Sequence, residues 1–211
     1  MSTMEELLHY LDAAHPQPHP LLLELEQHGR DDGVALVSRE TGRFLSTIVT
    51  AMQASRILEV GTGYGYSALW MALAQPQMGK IWTLDSDVAH TDVARSYFRR
   101  AGEDDYIEVL NTPGLQLLET FPQRNLDIAF IAANKEHYDS YLELVIPMLK
   151  LSGLVILDGC LLQGRVAAPS RRNDSEVRTM RAFNERFLAH PALHATILPF
   201  GGGTAIGARR Q

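Results

Sequence analysis

The sequence is short of cysteine, of surplus positive charge and of long apolar runs, and each shortage removes a class of protein. Cys160 is the single cysteine in 211 residues. No intrachain disulfide can form, which fits a reducing compartment and sets the expectation of a cytoplasmic protein. Against 19 Lys and Arg stand 25 Asp and Glu, a net charge of −6. Binding nucleic acid requires clustered cations that neutralise phosphates, so nucleic acid is not the expected partner. No apolar run approaches the roughly 18 residues that span a bilayer, so no membrane partner is expected either. Residues 1–10 carry Glu5 and Glu6 and lack the basic and apolar regions of a secretory signal. The rest of the composition, 45% hydrophobic and 21% charged, is ordinary for a globular chain. A chain of this length supports one sizeable core, hence one domain over 1–211.

What the sequence does contain is a change of rhythm. Leu7, Leu8 and Leu11 sit at helical spacing, a second helix is expected over 21–28 after Pro16, Pro18 and Pro20, and a third over 39–52 behind Ser38 as its cap. These make a helical N-terminal appendage over residues 1–53, placed to cover a binding site. From Arg56 onward short apolar runs (57–60, 80–84, 107–110, 126–131, 154–157) alternate with helical segments (66–74, 88–101, 115–121, 137–149). Continuous apolar strands alternating with helices predict a parallel sheet covered on both faces. After a helix over 175–189, two strand-like runs (194–200, 204–208) flank Gly201, Gly202 and Gly203 as an antiparallel hairpin. The expected fold is α/β: a doubly wound, seven-stranded, mostly parallel sheet with one reversed strand.

The most informative segment runs Glu59-Val60-Gly61-Thr62-Gly63-Tyr64-Gly65-Tyr66-Ser67, between the first strand and a helix. Glycines there allow a tight turn and close approach of a ligand to the main chain, and the helix start offers free N–H groups to a carboxylate. A dinucleotide fingerprint needs a glycine at the sixth position, which is Tyr66 here. A phosphate-binding P-loop needs Gly-Lys-Ser/Thr, which is missing. Asp85 ends the second strand, where a carboxylate can accept hydrogen bonds from both ribose hydroxyls. A nucleoside without a pyrophosphate fits this pattern, and S-adenosyl-L-methionine is such a nucleoside.

These residues resemble the catechol and caffeoyl-CoA O-methyltransferase family, class I methyltransferases dependent on S-adenosylmethionine. The likeness extends over nearly the whole chain: the segment Ser38-Arg39-Glu40-Thr41-Gly42-Arg43-Phe44-Leu45, residues 57–72, Tyr138 to Tyr141, Leu157-Asp158, Leu162-Gln163-Gly164-Arg165-Val166, residues 181–187 and residues 198–203. It implies a small phenolic or hydroxylated acceptor and a homodimer. By position it implies that Glu59, Gly61, Gly63 and Ser67 hold the methionine end of the cofactor and Asp85 the ribose. Pro113 and Gly114 would lie at the adenine, and Val37, Tyr64, Gly65, Ser86 and Ala132 complete the cofactor set.

The resemblance also implies a divalent metal, and there the sequence departs from it. The family pattern places a carboxylate after the fourth strand, a lysine three residues on, and Asp-Asn after the fifth strand. This chain has Ala132, Lys135, Asp158 and Gly159 at those positions. A hard dication wants about six oxygens, and one carboxylate is a poor offer, so no metal site is expected. Asn134 has a carbonyl oxygen, but a helix start would turn it elsewhere. Without a cation a side chain must take the acceptor's proton. Lys135 keeps the family's lysine position, and burial beside a sulfonium disfavours its ammonium form. His137 is the alternative base, and Asp158 would orient the acceptor hydroxyl or the lysine. Cys160 reads as a core residue. Arg165, Arg171, Arg172, Arg178 and Arg181 form a basic stretch, either solvated or facing an anionic acceptor. Two other readings stay open: a methyltransferase of transfer RNA, and a cofactor-binding relative that has lost catalysis.

Overall fold

The computed structural model describes residues 3–169 and 174–211; Arg171 and Arg172 of the basic stretch lie outside them. The chain opens with three helices, α1 (Thr3–Ala14), α2 (Pro20–Asp32) and α3 (Arg39–Met52). It then alternates β1 (Arg56–Val60), α4 (Tyr66–Ala72), β2 (Lys80–Leu84), α5 (Val88–Ala101), β3 (Ile107–Leu110), α6 (Gly114–Thr120), β4 (Leu126–Ile131), α7 (Tyr138–Val145) and β5 (Leu149–Leu157). It ends with α8 (Ser175–Leu188), β6 (Leu193–Leu198) and β7 (Thr204–Arg209).

The seven strands form one sheet in the order β3-β2-β1-β4-β5-β7-β6. Neighbours from β3 to β5 pair in parallel. β7 lies antiparallel between β5 and β6 and is the reversed strand. From β1 the chain winds outward through β2 to β3, then returns to β4 on the other side. The crevice beyond the ends of β1 and β4 is therefore the topological switch point, where open α/β sheets bind ligands.

Side chains alternate between the two faces of each strand. In β1, Ile57 joins a core with Leu22, Leu25, Leu45, Val49 and Phe98 from α2, α3 and α5. Leu58 joins the opposite core, with Tyr138, Leu142, Phe183 and Phe187 from α7 and α8. The helical appendage thus packs directly on one face of the sheet. Among the described residues no helix is long and apolar enough to cross a membrane.

Three elements depart most from the sequence expectation. α2 continues through Gly29 to Asp32, because Gly29 packs tightly beneath Leu36 and the left-handed stop comes at Gly33 (φ 68°). The helix expected over 137–149 is shorter. Lys135–His137 forms a 3-10 turn before α7, and Ile146–Met148 forms another after it, since Pro147 cannot continue an α-helix. β5 begins at Leu149, five residues before the apolar run 154–157. Its register with β4 jumps from Leu126↔Leu149 to Ile128↔Leu154, a bulge around Ser152 (φ 64°) that apolar patterning does not reveal.

Candidate active site

A cleft of about 650 Å³ opens at the switch point. Its floor is the glycine loop. The Gly33–Val37 connection between α2 and α3 forms part of its wall, as do Gly114 and Tyr141. Gly61 adopts φ 101°, and a Cβ there would stand 2.4 Å from the Ala132 carbonyl oxygen. Only glycine lets the loop pass this close to the end of β4. Gly63 faces open space: nothing lies within 4 Å of where its Cβ would be. Its amide donates to Asp85 Oδ2 (2.8 Å), and the Asp87 amide donates to Asp85 Oδ1 (3.0 Å). Each carboxylate oxygen keeps a second lone pair, and Asp85 lines the cleft. This pair of acceptor oxygens suits a ribose with two free hydroxyls to donate.

Of the expected cofactor residues, Val37, Gly61, Gly63, Ser67, Asp85, Ser86, Gly114 and Ala132 line this cleft. Glu59, Tyr64, Gly65 and Pro113 do not. Glu59 is fully buried behind the loop. It accepts hydrogen bonds from Ser67 Oγ (2.6 Å) and Thr83 Oγ1 (2.5 Å), so its reach into the cleft is through Ser67. Burial pushes its carboxyl up to about 7, against the pull of those two hydroxyls. The Tyr64 hydroxyl turns away and donates to Asp32 Oδ2 (2.7 Å). Gly65 caps α4 and Pro113 caps α6. The cleft also takes in Val34, Leu36, Tyr66, His90 and Tyr141, which sequence reasoning did not assign. Tyr66 and Tyr141 fall inside quoted motifs and were within reach; residues 33–36 carry no motif at all.

A second cavity, about 450 Å³, adjoins the first across Ala133 and Asn134 and runs between the 3-10 turn and α8. Lys135 lines it. Gly159 adopts φ 74°, and a Cβ there would sit 2.9 Å from Lys135 Cε and 3.3 Å from Nζ. The absence of a side chain at Gly159 is thus what gives the lysine head its place beside Asp158. Asp158 Oδ1 accepts from Thr41 Oγ1 (3.2 Å). Burial raises its carboxyl to about 6, eased by that hydrogen bond and by the charge of Lys135. Lys135 and Asp158 are therefore brought together. His137 is not: its ring stands edge-on to Tyr141 at 6.1 Å, and it lines neither cavity.

The remaining expectations resolve simply. Cys160 is buried, and burial pushes its thiol up to about 12. Arg165 pairs with Asp174 (2.6 Å) and Glu176 (2.7 Å), and Arg181 donates to the Val166 carbonyl (2.7 Å). Both are committed to the protein. The donor set does not fit a divalent cation. Ala132 offers no side-chain oxygen, Gly159 none, and Asn134 Oδ1 accepts from the Glu136 amide (3.1 Å). Among the described residues no group of three or more His, Cys, Asp or Glu is arranged to hold a metal.

The sequence and the fold are both shared with known proteins. The sequence profile of the O-methyltransferase family matches residues 15–210. Catechol O-methyltransferase of Mycobacterium tuberculosis is 34% identical over 164 residues, 77% of this chain and 73% of that protein. The crystal structure of an O-methyltransferase from Bacillus cereus in complex with SAH superposes with a TM-score of 0.83. It is 29% identical and covers 96% of each chain. The O-methyltransferase TomG of Streptomyces achromogenes, solved with SAM, gives a TM-score of 0.87 at 25% identity over the whole of both chains. Profile, relatives and geometry agree, and the chain belongs to the O-methyltransferase family.

Proposed function

We propose that the protein binds S-adenosylmethionine in the glycine-loop cleft and methylates a hydroxyl of a small phenolic or hydroxylated metabolite without a divalent metal. The observation that carries the reading is the seat of Lys135 over Gly159 beside Asp158, opening onto a cavity adjoining the cofactor cleft. S-adenosylmethionine supplies an electrophilic methyl group on a sulfonium, which an oxygen in line with the S–CH3 bond displaces to leave S-adenosylhomocysteine. The chain's residues arrange the rest. Asp85 takes the ribose hydroxyls, the Gly61–Gly63 backbone lets the methionine end lie close, and Ser67, held by Glu59, faces it. The acceptor enters through the Lys135 cavity. Lys135 Nζ acts in its neutral amine form and takes the proton from the acceptor hydroxyl as the O–CH3 bond forms, becoming the ammonium beside Asp158, and Asp158, steadied by Thr41, fixes the orientation. General-base help of this kind is worth roughly 10²–10⁴ in rate.

Calorimetric titration with S-adenosylmethionine, followed by methyl-transfer assays on catechols and monophenols with Mg²⁺ or with EDTA, tests each part. Binding, with turnover equal in EDTA and strongly reduced in Lys135→Met, is the expected result. Turnover abolished by EDTA overturns the metal-free step. Binding without turnover on any acceptor points to the non-catalytic relative.

A further inference from the structure

Two chain segments distant in sequence line the cofactor cleft, the glycine loop and the Gly33–Val37 connection. One hydrogen bond ties them at their roots. Tyr64 follows Gly63 in the loop, and Asp32, the last residue of α2, precedes Gly33. The Tyr64 hydroxyl donates to Asp32 Oδ2 at 2.7 Å. We infer that Tyr64 and Asp32 form a latch that holds the 33–37 connection over the methyl donor, making both positioning residues for cofactor binding although neither lines the cleft.

The surroundings show that the latch is built. The Tyr64 ring is buried, with the His28 ring at 5.1 Å and the His90 ring edge-on at 5.2 Å. His90 itself lines the cleft. His28 Nε2 lies 3.2 Å from the same Asp32 oxygen. His28 Nδ1 lies 3.2 Å from the Tyr97 hydroxyl, which donates to Glu24 (3.2 Å). α2, the glycine loop and α5 are thereby joined through His28, Tyr64 and Tyr97. The bond to Asp32 pushes the Tyr64 hydroxyl up to about 12, so it stays a donor throughout the neutral range. On the far side of the connection, Leu36 packs onto Gly29 of α2. The connection therefore moves with the end of α2, and fixing Asp32 fixes the wall.

Preorganising a wall that must otherwise be ordered on binding raises affinity chiefly by slowing release. This inference rests on the cleft being the S-adenosylmethionine site, and the wild-type titration tests that alone. Tyr64→Phe and Asp32→Ala are expected to weaken S-adenosylmethionine binding and raise its KM by roughly 3- to 10-fold. kcat at saturating donor should stay within about 2-fold, as a change in positioning alone requires. Asp32→Asn, whose amide oxygen still accepts from Tyr64, should bind within about 2-fold of wild type. Titrations are run well below each variant's unfolding midpoint. Wild-type affinity in Asp32→Ala, a substitution at a half-exposed side chain, overturns the latch. Asp32→Asn as weak as Asp32→Ala also overturns it, because the carboxylate charge would then be the cause. No binding by the wild type removes the cofactor reading and the latch with it.

Discussion

Glu59 shows how one residue's burial reaches the behaviour of the protein. Its carboxyl is raised from 4.5 to about 7 by burial, so between those values the folded chain holds a proton that the unfolded chain has released. Folding stability contributed by this group is full below about pH 4.5 and is lost as pH rises through 7. Urea unfolding of the wild type at pH 5 and pH 8 should therefore show a fall of about 2–3 kcal/mol attributable to Glu59, and Glu59→Gln should flatten it. Gly159 makes a second argument at this scale. Alanine there must adopt φ 74° and push on Lys135, so Gly159→Ala should lower kcat by roughly 10–100-fold while donor affinity holds. Steady-state kinetics beside calorimetry separate the two. Ala132 and Gly159 were legible as departures from the family pattern, and Lys135 and Asp158 as positions that keep it. That Gly159 makes room for Lys135 was not, since residues 24 apart in sequence meet only in the fold.

At the level of elements, local chemistry was enough wherever it acted alone. Ser38 precedes α3 and its Oγ accepts from the Thr41 amide (3.1 Å), as a cap should. The same hydroxyl lies 3.3 Å from Thr41 Oγ1, which in turn holds Asp158. Ser38→Ala should cost about 1 kcal/mol of stability by urea unfolding, together with a loss in kcat if Asp158 shifts. The apolar runs of β2, β3 and β4 fell on the observed strands because buried parallel strands leave no polar gaps. The elements that were misjudged had competing influences. Pro147 cut a helix that periodicity extended, and the bulge at Ser152 lengthened β5 beyond its apolar core. His137, at the start of α7, stands edge-on to Tyr141 and lines neither cavity.

For the whole molecule, topology places the cleft, and that was readable from alternating runs. The wall at 33–37 was not, because its residues acquire meaning only when α2 docks on the sheet. The metal question belongs to this scale as well, since its ligand positions come from two strand ends. On the proposed metal-free reading, Ala132→Asp combined with Gly159→Asn should give tighter Mn²⁺ binding than the wild type by calorimetry, with Lys135 displaced and turnover in EDTA lost. Cys160 adds a consequence of a different kind. The sole thiol is sealed under the β5–β7 junction, where its amide donates to the Gly203 carbonyl (2.8 Å), and burial keeps it protonated. A thiol reagent can reach it only when that junction parts. The chain therefore carries its own clock: the pace of Cys160 labelling in a native solution reads how often the sheet opens beside the active site. Bound donor should slow it if the cofactor tightens that end of the molecule.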